Sequence, residues 1–156
     1  AVHLFILYWG MVSFITPPVA LGAFAAASMA GANAFRTGLE AMKLGGVIYV
    51  VPFFFVLNPA LIGQGTATEV IVVLFCALVG VWFISSALQG YVSFVGPLHS
   101  STFSMVMRIV LFFAGLMVAA PVGGVAGLSH AVLSLMGFVV AIAPFLVAWR
   151  GGRMMS

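Results

Sequence analysis

The sequence predicts an all-α protein: a polytopic transmembrane helical bundle with one proline-broken, discontinuous helix and a short interfacial amphipathic helix. Three observations carry that prediction. Hydrophobic residues fill 65% of the 156 positions and charged ones 4%, whereas a soluble domain devotes roughly a quarter of its residues to charge. Apolar runs close to the bilayer-spanning length of about 20 residues follow one another along the chain. Thr16-Pro17-Pro18 interrupts the first of them.

Taken in order, the first run covers residues 2–30 and is too long for a simple span. The others cover residues 45–62, 70–88, 105–122 and 128–149. Between the first two lies a different pattern, predicting a helix over 33–44. Asn33 suits its N-cap. Phe35, Leu39 and Met42 fall on one face, and Arg36, Glu40 and Lys43 on another. Glu40 can reach Arg36 four residues back and Lys43 three ahead. Such a helix can lie in the membrane interface, although its charges would serve equally well on a face that simply meets water. No internal repeat of domain scale is visible.

Loop charge sets the expected orientation. With Arg36 and Lys43 in the cytoplasm, the loop 63–69 falls outside and carries no Lys or Arg. The loop 89–102 returns to the cytoplasm beside Arg108, and 121–129 falls outside, again without basic residues. The C-terminus, with Arg150 and Arg153, ends inside. All five basic residues then share one side, as the positive-inside rule requires. Tyr91 and Trp149 sit near span ends, where amphipathic aromatics prefer the headgroup level. The chain opens at Ala1 inside an apolar segment without a basic n-region, which argues against a signal peptide. It reads as the C-terminal part of a longer protein.

Several function classes are disfavoured. Glu40 and Glu69 fall on opposite sides of the membrane and form no acid/base pair. His3, His99 and His130 lack ligand spacing, and Cys76 stands alone in an apolar run. Gly45-Gly46 and Gly123-Gly124 lack the lysine of a phosphate loop. No basic run alternates with aromatics, so nucleic acid has no footprint. The sequence therefore predicts neither an enzyme nor a bound cofactor.

The informative stretch is Ser13-Phe14-Ile15-Thr16-Pro17-Pro18-Val19-Ala20. Two prolines delete two backbone donors and push Thr16 out of helical geometry. The carbonyls of Ser13, Phe14 and Val12 are expected to lose their helical partners. In hydrocarbon such a break survives only where protein or a cavity receives the freed groups. Two readings stand. Exposed carbonyls and hydroxyls can hold Na⁺ while the following half-helix, with Pro18 at its first position, aims its N-terminus at an anion. Alternatively, neighbouring helices satisfy an ordinary kink. Gly22, Ala26 and Ala30, beside Ala23, Ala27 and Gly31, supply small residues for close packing. Pro52, Asn58-Pro59 and Pro144 mark further kinks, with Asn58 near the outer interface. Gly123 and Gly127 have GxxxG spacing in a loop-like region.

The blocks His3-Leu4-Phe5, Tyr8-Trp9-Gly10, Ile15-Thr16-Pro17-Pro18-Val19-Ala20-Leu21, Ala25-Ala26-Ala27 and Ala30-Gly31-Ala32 resemble the large membrane subunit of tripartite ATP-independent periplasmic (TRAP) transporters. Thr37-Gly38, Lys43-Leu44, Val51-Pro52-Phe53, Asn58-Pro59-Ala60-Leu61 and Ala87-Leu88-Gln89-Gly90-Tyr91 are similar to the TAXI-type fused permeases. The resemblance covers about the first 90 residues. It implies a bacterial inner-membrane permease importing an organic anion, commonly a carboxylate, with sodium coupling and an elevator-like transport domain. A periplasmic substrate-binding protein would deliver the anion, and the remainder of the permease would complete the site. Carried over, Thr16 would offer its hydroxyl and Ile15 or Phe14 a carbonyl to Na⁺, with Gly10 and Ser13 close by and Pro17 and Pro18 shaping the break. Residues 1–62 would be the end of the large permease region and 63–156 an extension with three more transmembrane helices. The rivals are another ion-coupled secondary transporter, or a membrane subunit that only packs against partners.

The orientation predicts that a periplasm-active reporter fused at Gln64 is active and one fused at the C-terminus is silent. A cytoplasmic signal at Gln64 would invert the topology.

Overall fold

The computed structural model describes residues 2–93, 96–98, 102–120 and 129–153. These residues are overwhelmingly helical. The helices are α1 (Val2–Val12), α2 (Leu21–Ala30), α3 (Ala34–Leu44), α4 (Val51–Leu57), α5 (Ala67–Gln89), α6 (Thr102–Val118) and α7 (His130–Arg153). Two single 3₁₀ turns, Gly46–Tyr49 and Pro59–Ile62, flank α4, and two-residue strands β1 (Tyr91–Val92) and β2 (Gly96–Pro97) follow α5. The chain divides into two compact units, residues 1–56 and 57–156. The division falls before Asn58 because the 3₁₀ turn that Pro59 opens packs on α5.

In the first unit the apolar run 2–30 is two helices separated at residues 13–20. Gly31, in the left-handed conformation at φ 64°, closes α2 with its N–H on the Ala27 carbonyl. Asn33 then starts α3, its side chain accepting from the Arg36 N–H at 3.0 Å. Phe35, Leu39 and Leu44 of α3 point outward. Glu40 pairs with Lys43 at 2.6 Å, the one ion pair among the described residues, and Arg36 takes no part in it. The face of α3 turned into the protein is neither of the two the spacing suggested. It carries Gly38, where a Cβ would meet the Pro17 ring at 2.8 Å and the Phe24 ring at 3.3 Å. On α2 the buried small residues are Ala23 and Ala27, whereas Gly22, Ala26 and Ala30 are exposed.

The run 45–62 is not one continuous helix. Pro52 sits in the first turn of α4, where its missing donor costs nothing. Asn58 is extended and Pro59 opens the second 3₁₀ turn. α3 and the segment Gly46–Leu57 are bent by 67° at Gly45. α1 packs against this segment through rings. Phe5 meets Phe53 edge-on at 5.4 Å, Tyr8 meets Phe55 at 5.2 Å, and Trp9 contacts both Tyr49 and Phe53.

The second unit is built on α5. Thr66 and Glu69 form a reciprocal capping box at its start, and Gly90 at φ 69° ends it. Among the described residues α5 alone is long and apolar enough to cross a membrane; residues 104–118 of α6 and 130–146 of α7 are apolar but shorter. After α5 the chain makes a small antiparallel hairpin, Tyr91 opposite Pro97 and Val92 opposite Gly96. The hairpin presses Val92 and Leu98 into a core shared with Phe83, Ala87, Leu111, Ala114, Val118 and Ala141. Helix approach depends on glycine. A Cβ at Gly80 would lie 2.7 Å from the Gly115 carbonyl and from the Ala119 side chain, and one at Gly137 would lie 2.8 Å from the Ala114 carbonyl. Close backbone contact is how helices attract each other in lipid, where apolar burial supplies no force. Pro144 lies inside α7 without ending it. Outward-facing Ile71, Phe75, Leu78, Ile109, Phe113, Leu135 and Val139 are all exposed, a surface suited to acyl chains. The expected loop 121–129, apart from Ser129, its GxxxG pair, and His99 lie outside the described residues.

Gly80→Leu is expected to wedge α5 from α6 and cost on the order of 1–3 kcal/mol. The readout is a lowered Tm in mild detergent, against little change for the exposed control Ile71→Leu. Equal Tm values would contradict the close approach at Gly80.

Candidate functional site

The break between α1 and α2 is the place where sequence and structure concentrate polar chemistry in an apolar segment. It begins with the end of α1 tightening on itself. The Ser13 N–H and hydroxyl both donate to the Gly10 carbonyl, the hydroxyl at 2.6 Å. Phe14 N–H donates to the Met11 carbonyl. The Val12 carbonyl accepts from the Ile15 and Thr16 N–H groups and from the Thr16 hydroxyl at 2.7 Å. Val12 therefore keeps its partners, contrary to the expectation that it would lose them.

Phe14 differs more sharply from expectation. Its carbonyl accepts from the Gly22 N–H at 3.0 Å and the Ala23 N–H at 3.2 Å. Those are first-turn donors of α2, which a helix cannot satisfy internally. The partial positive charge of that helix start is thus met by the chain's own carbonyl. The approach is close, since a Cβ at Gly22 would stand 3.3 Å from that oxygen. The N-terminus of the half-helix is not an empty anion seat in this arrangement. Nor is Pro18 its first residue, because α2 starts at Leu21. Residues 17–20 form the turn between them. The Pro17-Pro18 peptide is cis, and Ala20 is fully buried in the left-handed region at φ 35°. Ala20 N–H closes the turn on the Thr16 carbonyl at 2.9 Å, and the Ala20 carbonyl takes the Phe24 N–H at 2.8 Å.

Several acceptors are left over. Among the described residues the carbonyls of Ser13, Ile15, Pro17, Pro18 and Val19 receive no hydrogen bond. Thr16 adds one more lone pair. Its single hydroxyl proton goes to Val12, so the Tyr49 hydroxyl, 2.6 Å away, donates to Thr16. One Thr16 oxygen lone pair then remains. Tyr49 comes from the 3₁₀ turn after α3, held edge-on by Trp9. A cleft of about 370 Å³ beside the break is lined by Tyr8, Met11, Phe14, Ile15 and Ile48. Gly45 lets the chain pass, since a Cβ there would strike the Ile15 side chain at 2.7 Å.

Of the candidate residues, the structure thus brings Gly10, Ser13, Phe14, Ile15, Thr16, Pro17 and Pro18 into one turn. It assigns Phe14 to bracing and leaves Ile15 and Thr16 with oxygen lone pairs to offer. Tyr49 was missed. A tyrosine in an apolar run gives no sign of its partner, although a buried hydroxyl needs one. Elsewhere, His130 Nδ1 meets the Ala120 carbonyl at 2.8 Å. Asn58 is buried with neither side-chain atom bonded among the described residues. No group of three or more metal-ligating side chains occurs among the described residues.

Residues 1–70 match the family model described as tripartite ATP-independent periplasmic transporter, DctM component. The match covers the break, α3, α4 and the start of α5. No curated protein and no solved structure matches the chain. For the matched part this supports a place in a tripartite periplasmic transporter, and it supports transport over enzymatic chemistry.

The Thr16–Tyr49 pair predicts a coupling on the order of 1 kcal/mol. Thr16→Val, Tyr49→Phe and the double variant, compared by thermal unfolding in detergent, should be less than additive. Strict additivity would mean that the two hydroxyls do not bond.

Proposed function

We propose that this chain is the C-terminal part of a TAXI-type tripartite permease, and that the turn 13–20 contributes to a sodium site in its transport region. The transporter would import an organic anion, a carboxylate by preference, using the sodium gradient. A periplasmic binding protein would deliver the anion and the remainder of the permease would complete the pocket. The observation that carries the reading is the adjacent Ile15 carbonyl and Thr16 hydroxyl, two of the oxygen groups left with acceptor capacity at the break. Sodium is a hard cation that takes carbonyl and hydroxyl oxygens, and discontinuous transporter helices supply both. The family match over residues 1–70 supports the same reading.

Within that reading the residues divide the work. Thr16 and Ile15 are the ion ligands. Ser13 and Gly10, bonded to each other, stiffen the end of α1. Phe14 ties α1 to α2, so that an ion pulling on Ile15 and Thr16 would move both helices together. Tyr49 orients the Thr16 lone pair by donating to its oxygen. The substrate, in contrast, must find its anion contacts elsewhere, because Phe14 occupies the start of α2.

The test is uptake by the complete transporter in proteoliposomes, with sodium titrated against choline. Thr16→Ala should raise the sodium concentration for half-maximal uptake by about tenfold, the loss of one ion ligand worth about 1.4 kcal/mol. Unchanged sodium activation in that variant would remove Thr16 from the site. Uptake that ignores sodium altogether would remove the coupling.

A further inference from the structure

The second unit, residues 57–156, places a cation, Arg108, beside an apolar groove. Arg108, in the second turn of α6, reaches the end of α5. Its Nε donates to the Ala87 carbonyl at 2.7 Å and its Nη2 to the Leu88 carbonyl. Those carbonyls belong to the last turn of α5 and lack helical donors. The guanidinium also lies against the C-cap, since a Cβ at Gly90 would be 3.4 Å from its central carbon. Two of its five N–H groups are thus used, and the other three have no acceptor among the described residues.

Among the described residues of this unit no carboxylate meets the charge. The whole chain has two carboxylates, Glu40 and Glu69, and only Glu69 belongs to this unit. Glu69 caps the opposite end of α5 through the Thr66 N–H at 2.9 Å. Its Cα lies 19 residues from that of Leu88, about 28 Å along the helix, far beyond the screening length of about 10 Å. The end of the α5 dipole offers only about half a negative charge. Beneath the guanidinium runs a groove of about 320 Å³ lined by Leu88, Met105, Ile109, Phe112 and Phe113. All of these are apolar, and Met105, Ile109 and Phe113 are exposed. Its lining on α6 extends from Met105 to Phe113, with Arg108 itself among it.

From this juxtaposition we infer a binding site for one anionic phospholipid: its phosphate takes the free N–H groups of Arg108, and an acyl chain lies in the groove along α6. A soluble anion would meet the charge but leave the groove empty, and a neutral lipid would fill the groove but leave the charge unmet. The two features together fit a ligand with a negative head and an apolar tail. Because Arg108 also holds Ala87 and Leu88, the bound headgroup would stiffen the end of α5.

The test uses the full chain in mild detergent, read by native mass spectrometry with phosphatidylglycerol and phosphatidylethanolamine of identical acyl chains. Wild type should bind phosphatidylglycerol about fivefold more tightly, as one basic side chain at a membrane surface supplies. Arg108→Gln should bind the two equally. Should the glutamine variant lose helix by circular dichroism, Leu88→Trp with Ile109→Trp decides, since it fills the groove and leaves the guanidinium in place. That pair should weaken phosphatidylglycerol binding by a similar factor. Undiminished preference in a folded Arg108→Gln protein, or undiminished binding in the tryptophan pair, would overturn the site. So would displacement of the lipid by millimolar inorganic phosphate, which would make it a seat for free anions.

Discussion

The constraint on which the first unit depends is that Pro17 and Pro18 cannot donate, in a stretch of chain that is otherwise mostly apolar. A buried backbone group without a partner costs free energy, so the turn between α1 and α2 gains by finding partners within a few residues. It does so economically. Val12 collects three donors, Thr16 receives Ala20, and Phe14 takes the first-turn donors of α2. That last bond solves two problems at once, giving a carbonyl its donor and a helix start its cap. What remains unpaired are the carbonyls of Ser13, Ile15 and residues 17–19, acceptor capacity gathered at the turn beside a hydroxyl oriented by Tyr49.

The surroundings of the turn follow from its bulk. The Pro17 ring, beside a buried left-handed Ala20, can be covered only by a helix that comes very close, and α3 does this with Gly38. The amphipathic character of α3 is then free to serve its outer faces, where Phe35 and Leu39 are exposed and Glu40 pairs with Lys43. Ala23 and Ala27 of α2 are buried for the same reason of closeness. The ring contacts from Phe5, Tyr8 and Trp9 onto residues 49–55 extend this internal bracing.

Where local chemistry decides structure, the sequence was readable. Asn33 caps α3 as its type and position require, the proline pair breaks the first run, and α5 lies within three residues of its apolar run. Where structure is decided by what comes from far along the chain, reading failed. The run 45–62 has the hydropathy of a span, but Gly45, Pro52 and Asn58-Pro59 cut it into 3₁₀, α and 3₁₀ pieces. Apolarity measures the solvent and not the continuity of a helix. The packing faces of α2 and α3 were misjudged because four-residue spacing of small side chains marks several faces at once, and only the position of the Pro17 ring selects one. The bond from Phe14 to Gly22 and Ala23 could not be read either, since nothing in the residue types says that a carbonyl will fold forward onto the next helix. Tyr49 belongs to the same class, a partner 33 residues away from Thr16. Arg108 was legible as a basic residue at a span end and illegible as the cap of α5.

The break is closed by the chain itself, through the Phe14 carbonyl on the start of α2. Residue-resolved hydrogen–deuterium exchange of the complete transporter in lipid nanodiscs checks this at the amides of Gly22 and Ala23. Both should exchange as slowly as amides in the middle of α2, because both are bonded. Rapid exchange at Gly22 and Ala23, with the rest of α2 protected, would show the helix start standing open and would return it to the role of an anion seat.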